Sequence, residues 1–309
     1  MKWTTKALIQ RVLSSTPAGE RIYYLGQKYA GGFRNFTIED RVQQGVSLLK
    51  CLFEVGEDIE GRRTVEIGTG WTPIIPLLFW ACGQWECDTY DITRLLKLSL
   101  VIETARQFAA LAEREDVHLD TGRRAEFESR VRSLHQSACD QADGYAILRN
   151  CNIRYHAPAD ASSTNLPDAS VDLVYSNNVL EHVPREAVHR LFAEAYRILR
   201  PGGYMLHLID PSDHFSHSDP SISAINFLQF SEEAFSKYNS RFIFQNRLRA
   251  STWYQIVQDH NFQISYWRTS IDEKAVQQLP SLKLDRAFSS MSAEDICSTA
   301  VWVVAKRTS

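Results

Sequence analysis

Apolar and polar positions change period several times along this chain. Trp3, Ala7, Leu8 and Val12 recur at helical spacing and predict an amphipathic first helix, and residues 38–53 predict a stronger one. From residue 63 onward, short β-branched runs alternate with helical stretches, the pattern of a parallel sheet covered on both faces. Strands are expected at 64–67, 86–90, 152–156, 171–175 and 204–209, with two more at 262–269 and 298–306. A helix from 73 to about 82 is stopped by Gly83, and another spans 185–199, with Val188, Leu191, Phe192, Ala195, Ile198 and Leu199 on one stripe. The charged stretch from 93 to about 143 is longer than one crossover helix needs and predicts an insertion at about 104–150. Arg200-Pro201-Gly202-Gly203 reads as an abrupt stop and turn. Residues 23–36, aromatic, basic and broken at Gly31–Gly32, read as a loop or lid.

Composition narrows the class. With 309 residues, 44% hydrophobic, the chain can bury a core without disulfide staples. A net charge of −3 gives no long-range pull toward nucleic acid or an anionic membrane. The apolar run 74–80 is too short to span a bilayer. Six scattered cysteines without a C-x-x-C pair read as free thiols, not as a disulfide framework or a zinc site. Lys2, Lys6 and Arg11 precede the first acid, Glu20, a faint transit-peptide signal that an ordinary amphipathic helix satisfies equally well. The expectation is a soluble cytoplasmic protein whose partner is a small molecule, with no nucleic-acid or membrane partner and an oligomeric state the sequence does not state.

Candidate chemistry sits at the predicted strand ends. In Val65-Glu66-Ile67-Gly68-Thr69-Gly70-Trp71, the glycines let the backbone turn sharply and approach a ligand. Thr72 stands where a helix N-cap hydroxyl belongs and Pro73 at the first helical position. Glu66, ahead of the glycines, argues against a phosphate and for a ligand carrying an ammonium group or hydroxyls. No G-K-[ST] follows, which excludes a P-loop. Asp91 lies 21 residues past Gly70, where a carboxylate can accept hydrogen bonds from both ribose hydroxyls or cap the helix starting near Thr93.

Taken in order, VEIGTGW (65–71), YDIT (90–93), PADAS (158–162) and DLVYSNNVLEHV (172–183) leading into LRPGG (199–203) resemble the class I S-adenosylmethionine-dependent methyltransferases. The resemblance covers 64–93, 153–209 and the closing strand pair, roughly two-thirds of the chain. It implies a doubly wound α/β fold, a Rossmann-like seven-stranded sheet with the last strand antiparallel, over 61–309, behind a helical N-terminal cap or lid over 1–60. It implies S-adenosylmethionine as cofactor, its methionine end held by Glu66, Gly68, Thr69 and Gly70. Asp91, with Ile92 beside it, matches the ribose position, and Asp160 and Ala161 the adenine position. Tyr175, Ser176 and Asn177 approach the sulfonium, with Asn177 also touching the cofactor. A bulky Trp71 departs from the family pattern and narrows the site or packs on a lid.

The loop after the fifth strand holds Asp213, His214 and His217 and should border the acceptor pocket. His214 and His217 are candidates for a general base; a polar loop is the plain alternative, and no metal ligation is expected. Glu181–His182, at a helix entry, is read as structural. Arg241, Arg247 and Arg249 are read as a solvated strand and helix start. The expected activity is methyl transfer to a small-molecule or glycan-like metabolite. Two alternatives are cyclisation of S-adenosylmethionine itself to azetidine-2-carboxylate with release of methylthioadenosine, and binding without catalysis.

Overall fold

The computed structural model describes residues 1–16, 18–30, 37–113, 124–140 and 143–308. Alternation along each strand decides which layer a side chain joins. In β4 (Val171–Asn177), Leu173 and Tyr175 enter one core while Val174 enters the other; in β5 (Leu199–Ile209), Leu206 and Leu208 oppose Met205 and Ile209. With β1 (Arg63–Ile67), β2 (Glu86–Tyr90), β3 (Ile153–His156), β6 (Phe262–Ile271) and β7 (Ser298–Arg307), these strands form one sheet in the order β3-β2-β1-β4-β5-β7-β6. The first five run parallel and β7 runs antiparallel to both its neighbours. This is the Rossmann-like arrangement expected from the sequence. The strand order reverses between β1 and β4, and their carboxyl ends open a crevice there.

One face is covered by α3 (Glu39–Glu54), α4 (Ile74–Ala81), α5 (Leu98–Gln107), α6 (Arg124–Asp140) and α7 (Gly144–Asn150). α4, Ile-Ile-Pro-Leu-Leu-Phe-Trp-Ala, is apolar all round because it is walled on every side. α3 approaches it so closely at Gly45 that a Cβ there would meet Leu78 at 2.6 Å. The 124–150 stretch, charged on its outer side, buries Phe127, Val131, Leu134, Ala138, Ile147 and Leu148 in the same core as the sheet. The opposite face is packed by α8 (Arg185–Ile198) and a later helix, Ala250–Asp259.

α1 (Trp3–Ser14) packs on the 210–240 segment rather than on the sheet. Its Trp3 ring lies 5.5 Å from Phe215 and 4.6 Å from Tyr238, and its Trp3 N–H donates to Asp219 at 2.8 Å. Among the described residues, no helix is long and apolar enough to cross a membrane.

Three sequence expectations change. Arg200–Gly203 is not a turn ahead of the fifth strand: Leu199 already pairs with Val171 and Tyr204 with Leu173, so the extra residues bulge within β5, helped by Gly202 at φ 81°. The cause is Leu199 itself, which is buried and enters the ladder directly from α8. Residues 19–30 form helix α2 (Gly19–Ala30), so only the 31–36 part of the expected loop, which lies outside the described residues, is left of it. Arg247 and Arg249 are not solvated. Arg249 is fully buried and donates to the carbonyls of Pro211, Ile296 and Ser298, tying the loop after β5 to the start of β7. Arg249→Ala should therefore lower stability by at least about 3 kcal/mol, because several buried carbonyls lose their donor. Urea unfolding reads this directly, and a loss under about 1 kcal/mol would contradict the assignment.

Candidate active site at the carboxyl ends of β1 and β4

β1 ends in the buried Glu66, after which Gly68 (φ 86°) and Gly70 (φ 67°) turn the chain away from the sheet. Only glycine fits the first of these: a Cβ on Gly68 would stand 2.5 Å from the Val179 side chain, which closes over the turn from β4. Asp91, at the end of β2, fastens the same turn. Its carboxylate accepts from the Gly70 N–H at 2.9 Å and from the Thr93 N–H at 3.0 Å. The Asp91 carbonyl accepts from Ala159 N–H at 2.9 Å, which brings the 158–162 loop alongside, and Asp160 caps that loop by accepting from Ser162 N–H at 2.8 Å. Ile92 is 75% exposed at the rim, while Ala161 packs partly into the core behind. Hydrogen bonds thus bring three sequence blocks far apart in the chain side by side at the strand ends.

Beside the glycine turn lies a cavity of about 430 Å³, walled by Glu66, Asn177 and Val179 and, from the start of α3, by Asp40 and Arg41. Its polar groups point to one kind of ligand. Burial pushes the Glu66 carboxyl up to about 8, with Asp91 adding to the rise; the Thr89 hydroxyl, which donates to it, and Arg41 oppose it. Asn177 gives its amide N–H to Gln44 at 2.8 Å and leaves its buried amide oxygen with no donor. Arg41 donates to Gln44 at 3.1 Å and makes no ion pair among the described residues. Buried acceptors and a free cation therefore share one wall, a cradle for a zwitterion. Arg41 carried no motif signal and the sequence reading missed it.

A smaller cavity of about 150 Å³ adjoins the other side of Trp71, next to Thr93 and Leu95, and is closed by Tyr23 of α2 stacked on Phe242 at 4.7 Å. Tyr23, one of the wall residues expected of the lid, lines this smaller cavity and not the one beside the glycine turn. The side chain of Tyr24 and all of Phe33 lie outside the described residues. Trp71 lines both cavities, with Lys97 5.4 Å above its ring.

Two catalytic candidates are placed elsewhere. Tyr175 is fully buried: its ring leans back beneath α4, 4.8 Å from Phe79, and its hydroxyl contacts the Cys87 thiol at 3.6 Å. Ser176 alternates to the opposite face, where its hydroxyl meets His207 Nδ1 at 2.8 Å among buried residues. Neither reaches the crevice. His214 does stand near it, its Nε2 3.3 Å from the Asp210 carboxylate, and the His217 ring stacks on it at 5.1 Å. Burial works against Asp210, but His214 and Ser212 hold its carboxyl down to about 2. Asp213 turns inward, accepting from Phe215 N–H and the Asn226 amide.

Glu181 and His182, assigned to structure from sequence, face this same cluster. The turn carrying them is clamped by Asn246, whose amide donates to the carbonyls of Leu180 (2.8 Å) and Val183 (2.9 Å).

Residues 134–207 match the family described as "Methyltransferase domain". No curated protein matches the chain. Among solved structures, an S-adenosylmethionine-dependent methyltransferase from Mesorhizobium loti shares 16% identity at a TM-score of 0.45, over 84% of this chain and 96% of that one. A methyltransferase from Methanosarcina mazei shares 17% at 0.42, over 81% and 93%. The phosphoethanolamine N-methyltransferase 2 of Haemonchus contortus shares 14% at 0.46, over 86% of this chain and 53% of that one.

Gly68→Ala tests the glycine turn. The positive φ and the contact with Val179 should together cost about 2–4 kcal/mol, and a second change, Val179→Ala, should recover only the steric part. Unchanged urea midpoints for Gly68→Ala would show that the turn tolerates a Cβ.

Proposed function

We propose that this chain, which has the class I S-adenosylmethionine-dependent methyltransferase fold, binds S-adenosylmethionine in the crevice and transfers its methyl group to a small-molecule acceptor. One observation carries the reading: Arg41, which makes no ion pair among the described residues, and buried acceptors share one wall at the end of the glycine turn. Arg41 suits the ligand's carboxylate, and Glu66 with the Asn177 amide oxygen suits its ammonium. Asp91 retains lone pairs for ribose hydroxyls, and Asp160 and Ala161 border the adenine end.

The sulfonium already carries the leaving group, so the protein's part is placement and exclusion of water. An acceptor lone pair forms the new bond to the methyl carbon as the carbon–sulfur pair returns to sulfur, leaving S-adenosylhomocysteine; any proton on the acceptor must leave with a base. The acceptor would enter from the side of His214 and His217, across from the glycine turn. A small acceptor is favoured by the cover that α3 and the Tyr23–Phe242 stack place over the two cavities. The alternative in which the cofactor attacks itself leaned on a Tyr175 ring beside the sulfonium, and that ring lies in the core.

Two outcomes are expected. Incubating the purified protein with S-adenosylmethionine and a metabolite extract should yield S-adenosylhomocysteine and a product heavier by one methylene unit in the mass spectrum. Methylthioadenosine instead would establish the self-reaction, and neither product would leave a binding protein. Calorimetry should also show S-adenosylmethionine affinity rising between pH 6 and 8, by up to about tenfold per unit, because a Glu66 carboxyl held near 8 must lose a proton to meet an ammonium. Glu66→Gln should flatten the rise; a profile as steep as the parent's would remove Glu66 from the cradle.

A further inference from the structure

Glu181, His182 and His214 have no part in holding the cofactor, and their arrangement points to a ligand of another kind. One ligand-capable atom from each lies within 4.8 Å of the other two. A point within about 2.8 Å of all three therefore exists, and inward movement of under about 1 Å per group reaches bonds of about 2.0–2.2 Å. Strand pairing brings them together: β4 and β5 end side by side, so the turn after Asn177 faces the loop after Ile209.

Each group is poised in the way a cation requires. Glu181 is 3% exposed, and its carboxylate oxygens lie buried with no well-formed hydrogen bond, close to the Glu181 and Asp210 backbone N–H groups and to His214. A buried carboxylate is ordinarily satisfied by donors of good geometry. His182 Nδ1 gives its proton to the Phe244 carbonyl at 2.6 Å, which leaves Nε2 as an acceptor; this is how metal-bound imidazoles are held by the groups behind them. The rings of His182 and His214 meet edge-on at 4.7 Å, and His214 Nε2 is buried without a hydrogen bond. Asp210 adds a second carboxylate 3.3 Å from that nitrogen.

We propose that Glu181, His182 and His214 bind a divalent first-row transition metal, with Asp210 beside it. Imidazole and carboxylate ligands select zinc or iron(II) over magnesium or calcium. Three protein ligands leave positions open for another group. The proposal does not depend on the identity of the cofactor.

Cobalt(II) alone is the probe, added to metal-stripped full-length protein carrying Cys139→Ser, which removes the exposed Cys139–His135 pair on α6 (3.6 Å) as a competing site. Visible d–d absorption saturating at one equivalent, without a thiolate charge-transfer band, and displaced by zinc is expected. Glu181→Gln and His214→Ala should each weaken cobalt binding at least tenfold. No absorption in the parent, or titrations in both variants that match the parent's, would overturn the site. Should either variant fail to fold, X-ray absorption of the zinc-loaded parent decides: two imidazoles in the first shell support the proposal, and a shell without imidazole overturns it.

Discussion

The bond from the Gly70 N–H to the Asp91 carboxylate sets the geometry on which the crevice depends. It holds the turn after β1 against the end of β2, and the Asp91 carbonyl then holds the 158–162 loop after β3. Three parallel strands thereby end in one line of fixed backbone groups. The turn must be glycine because Val179, arriving from β4, fills the space where a Cβ would go. Strand order, glycine and acid therefore act as one device at the point where the order reverses.

Around that device the protein leaves polar groups underused. Elsewhere, the buried Arg249 meets several carbonyls, and Arg154, at the surface, grips the buried Asp88 through two nitrogens at 2.7 Å. At the crevice, Gln44 is the hydrogen-bond partner of Arg41 among the described residues, and the buried Asn177 amide oxygen has no donor. A buried polar group without a partner costs stability, and a ligand that met it would offset that cost.

How much of this was legible in the sequence follows from how local each feature is. The sheet, its order and its antiparallel strand could be read because period and turn residues are local, and the family resemblance supplied the order. The residues proposed to hold the cofactor drew notice for the same reason: Glu66 to Gly70, Asp91 and Asp160 sit in contiguous blocks. Contacts between distant segments were not legible. Arg41 gains meaning only when α3 crosses the glycine turn, and Glu181 and His182 only when the ends of β4 and β5 lie side by side. Tyr175 and Ser176 were misplaced because alternation fixes a side chain's face but not the direction in which a long ring leans. Arg249 looked solvated because the carbonyls that receive it come from Pro211 and from residues 295–298, distant in sequence.

On the proposed reading, this crevice recognises the amino-acid end of its cofactor through Arg41, Glu66 and Asn177. Calorimetry comparing S-adenosylhomocysteine with methylthioadenosine tests it most directly, since both carry the same adenosyl thioether and only the first carries the zwitterion. Charge-assisted bonds to both ends should make S-adenosylhomocysteine bind at least about 100-fold tighter. Equal affinities would mean that the cradle does not hold the ligand, and would contradict the account.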